Sequence, residues 1–330
     1  MSLMKTLVCV EPGRFELTER PRPESKPGHI RVRIGHIGIC GTDYHIYGGH
    51  QPFLAYPRVM GHELSGRAVE ASSDGRIAAG DVVVINPYLT CGTCHACQIG
   101  KPNCCENIAV LGVHTDGGMC EEIVVPEANI YSAEGLTEKA AAMVEFLAIG
   151  AHGVRRGRVQ PGSRALIVGA GPIGIGAALF AAIDGAEVTL RDTSASRLDL
   201  ARKVLPEARL ELVNDAAPGA YDTVFDATGN IHAMNAGLQW VAHGGAYVLL
   251  SVVKGDLVFA DPEFHKRETT LIASRNALKA DFEHVIAMIR AGRVPVDALA
   301  THDTSFAEAV TNLPLWAEDR GTLIKAIIRV

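Results

Sequence analysis

Beyond Gly162 the sequence adopts a rhythm that few architectures can absorb, in which short apolar runs alternate with helix-length segments as far as Ser274. ALIVGA, AEVTLR and YDTVFDA are each too short for a stable helix and each followed by a helix, and AYVLLSVV and then TTLIAS continue the series of strands. Strands joined by helical crossovers lie parallel, so this half of the chain predicts a doubly wound parallel sheet. The first 130 residues read differently. IRVRI alternates at period two, while DVVVI and EEIVVPE are short strand candidates, so the region is mainly β. A helix is predicted from Thr137 to about Arg156, another in DFEHVIAMIRAG, and a closing strand in LIKAIIRV. At 330 residues the chain has room for two domains with separate cores.

A formal net charge of −6 and the lack of any Lys/Arg run argue against a nucleic-acid surface. The opening MSLMKTLVCVEPG reaches glycine and proline before an apolar secretory core can form, so an intracellular, cytoplasmic location is expected. Residues 165–183 are uncharged over a membrane-spanning length, but their four glycines and one proline favour a strand, a turn and a helix. No membrane partner is therefore expected.

That turn carries the first chemical signal. Gly169, Gly171 and Gly174 stand as G-x-G-x-x-G between a predicted strand and a predicted helix, with Pro172 and Ile173 in the same loop. The spacing gives a tight turn, close approach of a pyrophosphate and close helix packing, with phosphate charge at the helix N-terminus. Asp192 ends the next strand, eighteen residues after Gly174. A carboxylate there accepts from both ribose hydroxyls and repels a 2′-phosphate, which favours NAD. Arg191 and Arg197 keep NADP open. A glycine-rich turn with an unrelated surface Asp is the plainer alternative.

Five of the eight cysteines fall between positions 91 and 105. Cys91, Cys94, Cys97 and Cys105 form C-x2-C-x2-C-x7-C, a spacing suited to four thiolates around one structural Zn²⁺, with Cys104 left over. An iron–sulfur cluster or reactive thiols are the alternatives. Four thiolates leave no open coordination position, so catalysis must lie elsewhere.

Upstream, Cys40, His62 and Glu63 offer sulfur, nitrogen and oxygen donors, the mixed set that open, catalytic zinc sites use. Singly, each is more often a core cysteine or a hydrogen-bonded histidine. Glu145 strengthens the case as the sole charge in AAAMVEFLAIGA, because a carboxylate in an apolar helix needs a cation or a strong donor. A snorkelling or ion-paired Glu145 is the alternative. Thr42, Asp43 and His45 follow Cys40 closely: a hydroxyl beside a metal-bound substrate can pass a proton outward to an imidazole, and Asp43 is a candidate to orient His62.

CGTD from Cys40, GHE from Gly61, the four-cysteine lobe, GAGPIG from Gly169 and DATGN from Asp226 occur together in this order. With them the chain resembles the zinc-dependent medium-chain dehydrogenase/reductase family over essentially its full length. The resemblance implies an α/β architecture with a GroES-like, mainly-β catalytic domain formed by residues 1–149 and 277–330. A Rossmann NAD-binding domain, 150–276, is inserted, and the catalytic zinc lies in the cleft between them. Two zinc ions per chain are implied, one on Cys40, His62 and Glu63 or Glu145 and one on the four cysteines. Thr228, Lys325 and Arg197 join the glycine turn as cofactor neighbours. Glu145 stands where simple alcohol dehydrogenases have a second cysteine, as in the sorbitol and sugar-alcohol branch. GGHQPFLAYPRVMGHE and NCCENIAVLGVHTDGG are similar to a bacterial group that oxidises a hydroxyl of L-galactonate. The expected activity is thus oxidation of a secondary hydroxyl of a sugar acid or polyol to the ketone, by a homodimer or homotetramer. His50, Gln51, Arg58, His114, His265, Arg275 and Asn276 are candidate polar contacts, with Arg58 or Arg275 as carboxylate clamp. A general alcohol dehydrogenase and a noncatalytic nucleotide-binding protein are the competing readings.

Overall fold

The structure, a computed structural model, describes residues 2–51, 54–213, 219–318 and 321–330; Pro52 and Phe53 of the GGHQPF stretch lie outside these. Two compact units emerge: Met1–Glu145 with Ile286–Gly292 and Leu299–Val330, and Phe146–Val285 with Arg293–Ala298. The joins fall at 145/146 and within 285–299, where the sequence reading had placed them at 149/150 and 276/277. They differ because two helices, Val144–Arg156 and Lys279–Arg290, each run through a join.

The first unit is built on a seven-stranded sheet whose central strand is His29–Ile39. Period-two alternation buries Ile30, Val32 and Ile34 in the core, as IRVRI predicts. This strand pairs antiparallel with Glu63–Ala68, Glu122–Pro126 and the closing strand Lys325–Arg329, so the last strand of the chain returns to the sheet that His29–Ile39 begins. The helix expected over 137–156 is interrupted, running as Glu138–Ala141 and then Val144–Arg156. Ser65 Oγ donates to the Glu138 carbonyl at 2.6 Å, and Met143 N turns to Ala140 O, an i to i−3 bond that tightens the chain. The Glu138 carbonyl still accepts from Ala142 N at 3.0 Å, so the first helix closes in a tightened last turn with that bond intact.

The second unit holds six parallel strands. In chain order they are Arg164–Val168, Glu187–Asp192, Arg209–Leu212, Tyr221–Asp226, Val241–Leu249 and Thr270–Ala273. Their spatial order is third, second, first, fourth, fifth, sixth, the doubly wound nucleotide-binding topology. The sequence reading missed Arg209–Leu212, a four-residue edge strand too exposed to show an apolar pattern. Residues 165–183 resolve into a buried strand and the helix Pro172–Ile183. No helix among the described residues is long and apolar enough to cross a membrane.

Candidate functional site

Strand register assembles the first site. Gly38 pairs with Glu63 and Ile39 with Ala326, so the end of the central strand brings Cys40, Glu63 and Lys325 together from three distant parts of the sequence. Cys40 then caps the short helix Gly41–Tyr47: Thr42 N donates to its Sγ at 3.5 Å, and Cys40 N donates to Asp43 Oδ2 at 2.9 Å. The reciprocal pair is a capping box, with sulfur in the place of the usual hydroxyl. Cys40 Sγ, a His62 ring nitrogen and a Glu63 oxygen all lie within 4.8 Å of one another.

The surroundings are acidic and dry. Glu63 and Glu145 are 0% and 2% exposed, and His62 and Asp43 are also buried. Burial by itself drives the His62 pKa down, yet Asp43, Cys40 and Glu145 together hold it well above the ordinary range. Burial pushes Glu145 up to about 7, helped by Glu63 and opposed by His62, Tyr88 and Lys325. Glu145 Oε2, Asp43 Oδ1 and His62 Nδ1 are buried without a hydrogen-bond partner, the last two 3.8 Å apart. A pocket with this excess of anionic donors and an orphaned carboxylate oxygen is chemically matched to a divalent cation, and the S, N, O donor set suits zinc with a position left open.

Lys325 departs from expectation. The resemblance placed it at the cofactor, but its ammonium, 1% exposed, donates to both oxygens of Glu63 at 2.7 Å and to Ile39 O at 3.2 Å. Glu63 therefore carries its own buried counter-ion, a partnership between residues 262 positions apart. Tyr88 was also missed: its hydroxyl donates to Glu145 Oε1. Arg58, a suggested carboxylate clamp, is engaged by Asp116 at 3.2 Å, and His114 Nδ1 accepts from Val110 N at 3.1 Å. Thr42 is half-buried and His45 exposed on the same helix.

The second cluster able to hold a metal is the cysteine lobe. The ligand atoms of Cys91, Cys94, Cys97 and Cys105 lie within 4.8 Å of one another, and no cysteine is in a disulfide. Cys91 and Cys105 Sγ are 3.5 Å apart, Cys94 and Cys105 3.9 Å. A tetrahedron of sulfurs about 2.3 Å from one zinc has edges of about 3.8 Å, so the spacing suits a single ion. Backbone N–H groups of Thr93 and Cys94 pull Cys91 down to about 5, and those of Glu106 and Cys97 lower Cys94. Both thiols are thereby biased toward the ligating thiolate. Cys104 points out, exposed.

In the second unit, Gly169 adopts φ +103°, and a Cβ on Gly174 would sit 1.8 Å from the Gly169 carbonyl oxygen. A Cβ on Gly171 would meet nothing within 4 Å, leaving room above the loop. Gly171 caps the twelve-residue helix Pro172–Ile183 with no side-chain bond, so its first N–H groups point into that space. Asp192 Oδ2 accepts from Ala170 N at 2.7 Å and Oδ1 from Ser194 N at 2.8 Å, which fixes the carboxylate against the turn. Thr228 lies alongside, its N and Oγ1 both donating to Asp226 Oδ1. Arg191 faces the opposite way, buried, paired with Glu211 and 5.0 Å over the Trp240 ring. Gly174→Ala is expected to cost about 1–3 kcal/mol through overpacking and to weaken dinucleotide binding severely, checked by thermal unfolding and NAD titration; unchanged NAD affinity would remove the turn from the cofactor site.

Two family models match the chain: an alcohol dehydrogenase GroES-like domain over residues 26–135 and a zinc-binding dehydrogenase domain over 172–291. The L-galactonate-5-dehydrogenase of Escherichia coli strain K12 is 42% identical, covering 99% of each chain. A 2-dehydro-3-deoxy-L-galactonate 5-dehydrogenase of Pseudoalteromonas atlantica is 30% identical over 85% of each. Among solved structures, an alcohol dehydrogenase of Escherichia coli CFT073 complexed with NADH superposes with a TM-score of 0.92, at 28% identity over the whole of both chains. Similarity that runs end to end through both domains leaves one conclusion about kinship: the chain belongs to the zinc-binding alcohol dehydrogenase family, with a GroES-like domain and a Rossmann-like one.

Proposed function

We propose that the chain is a zinc-dependent, NAD-linked dehydrogenase that converts a secondary hydroxyl of a sugar acid of the L-galactonate type, or of a related polyol, into the ketone. The observation that carries this reading is the convergence of Cys40, His62 and Glu63 donors within 4.8 Å of one another, with Glu145, whose Oε2 is buried without a hydrogen-bond partner, near enough to act on the charge of His62. When bound, zinc supplies a Lewis acid that makes a hydroxyl more acidic, and NAD supplies a hydride acceptor.

The chain's own residues do the rest. Asp43 stands 3.8 Å from His62 Nδ1 and orients the imidazole so that its other nitrogen is the ligand. Lys325 offsets the charge of Glu63 and fixes its carboxylate. Thr42 and His45, three positions apart on one helix, lie on one face and lead from a half-buried to an exposed position, a route for the substrate proton to solvent. In the other unit Asp192 receives the adenosine ribose, with Gly169, Gly171, Pro172, Ile173 and Gly174 at the pyrophosphate and Thr228 beside them. Arg191, held by Glu211 and Trp240, is not available to a 2′-phosphate, which supports NAD over NADP.

Resemblance to dehydrogenases of L-galactonate and 2-dehydro-3-deoxy-L-galactonate supports a polyhydroxylated acid over a simple alcohol. A panel of hexonates, hexitols and primary alcohols with NAD tests this directly. Highest kcat/KM on a hexonate is expected, and a preference for a hexitol or ethanol would transfer the chain to the polyol or general alcohol branch. The free edge of the sheet at Thr270–Ala273, with Leu271 exposed, supports a homodimer or homotetramer, checked by gel filtration. Eight unpaired thiols support a reducing, cytoplasmic setting.

A further inference from the structure

The stem of the cysteine lobe is a two-residue strand pair. Tyr88–Leu89 pairs with Ala109–Val110, Tyr88 opposite Val110, and the four cysteines lie in the segment between. Tyr88 is fixed there by its backbone: its N donates to Asn86 Oδ1 at 3.0 Å and its O accepts from Asn129 Nδ2 at 3.0 Å. Asn86 is held in turn by Tyr131, its Nδ2 donating to the hydroxyl at 2.9 Å, and Asn129 Nδ2 also donates to Asn86 O at 2.8 Å. A buried phenol on so braced a strand has little freedom, and its hydroxyl is bonded to Glu145 Oε1. One carboxylate oxygen of Glu145 is therefore committed, and Oε2 is left buried without a hydrogen-bond partner, beside the cluster of Cys40, His62 and Glu63 whose His62 feels its charge.

We propose that Tyr88 is a positioning residue for the open metal centre. By holding Oε1 it fixes the Glu145 carboxylate with Oε2 available to the metal. The proposal rests on the reading that Glu145 belongs to the metal centre. Outer groups that orient a ligand commonly govern metal affinity by about 10–100-fold. Phenylalanine keeps the ring and removes only the hydroxyl, so Tyr88→Phe separates the hydrogen bond from packing.

The test uses the full chain with Co²⁺ as the probe at the Cys40 site, where a thiolate ligand gives a visible absorption band. Affinity is measured by competition with a chromophoric chelator in the parent, in Tyr88→Phe, in Glu145→Ala and in the double variant, with thermal unfolding as a control on the fold. Tyr88→Phe is expected to weaken Co²⁺ binding about 10–100-fold and to alter the ligand-field bands, without lowering affinity at the four-cysteine site. Glu145→Ala is expected to weaken binding as well, and Tyr88→Phe to add nothing on that background. Parent-like Co²⁺ affinity and spectrum in Tyr88→Phe, while Glu145→Ala still weakens binding, would overturn the role of Tyr88 alone. So would a full Tyr88→Phe effect persisting on Glu145→Ala. Unchanged binding in Glu145→Ala would overturn the reading of Glu145, and the proposal with it.

Discussion

Cys40→Ser is expected to lower kcat by about three orders of magnitude or more while NAD affinity stays within about twofold of the parent. Serine is the informative replacement because of where Cys40 sits. It is the N-cap of Gly41–Tyr47, accepting from Thr42 N and donating its own N–H to Asp43. Serine is among the best capping residues, so the helix and the Asp43 contact survive the exchange. What it removes is the thiolate, the softest donor in a set completed by His62 and Glu63. A Lewis acid contributes several kcal/mol to the reaction barrier, and about 4 kcal/mol is a thousandfold in rate. Zinc content should fall from about two ions per chain to about one, since the cysteine lobe is untouched. A variant that turns over at the parental rate with one zinc would end the assignment of this pocket as the catalytic metal site, whereas a parent that binds NAD but turns over no alcohol, polyol or sugar acid would favour the noncatalytic nucleotide-binding reading.

Asp281→Asn is expected to destabilise the nucleotide-binding unit by about 3–5 kcal/mol, the usual consequence of breaking a buried ion pair from one side. Asp281 is 2% exposed and serves four donors from three residues: His152 Nδ1 at 2.8 Å, Arg155 Nε at 2.7 Å and Nη2 at 3.0 Å, and Leu278 N at 2.8 Å. Burial alone would raise its pKa. The bonds from His152, Arg155 and Leu278 outweigh that and hold it at about 2. A carboxylate depressed in the folded state stabilises at every pH above its unfolded value near 3.9 and loses that contribution as pH falls toward about 2. The depression corresponds to about 2.5 kcal/mol. Thermal unfolding followed from pH 6 to pH 2 should therefore show the parent losing stability below about pH 4 more steeply than the variant, whose transition starts about 10 °C lower. Parallel curves, or a midpoint shifted by less than about 2 °C, would mean that the Asp281 cluster is not what fastens the helix Lys279–Arg290.

Local patterns were legible where the determinant is itself local. Alternation at 30–34 buries Ile30 and Val32 because side chains in a strand point to opposite faces. The glycine turn was readable because Gly174 admits no side chain beside Gly169 O, a restriction imposed within six residues. The cysteine lobe was equally open, since its ligands come from a fifteen-residue loop. The break after Ala141 was not, because AAAMVE holds neither the glycine nor the proline that would mark a helix end. Nor was Arg191, which reads as a possible phosphate ligand until Glu211 and Trp240 enclose it.

The sequence by itself determined which chemical groups exist and how each short segment folds: the S, N and O donors, the four-thiolate loop, the nucleotide turn and the parallel sheet. Only the tertiary structure decided which groups work together. Strand register, with Glu63–Ala68 and Lys325–Arg329 on either side of His29–Ile39, carried Lys325 to Glu63 across 262 positions. A strand pair at the base of the cysteine lobe likewise carried Tyr88 to Glu145. Such pairings follow from where whole strands find their partners, and residue spacing along the chain does not encode that.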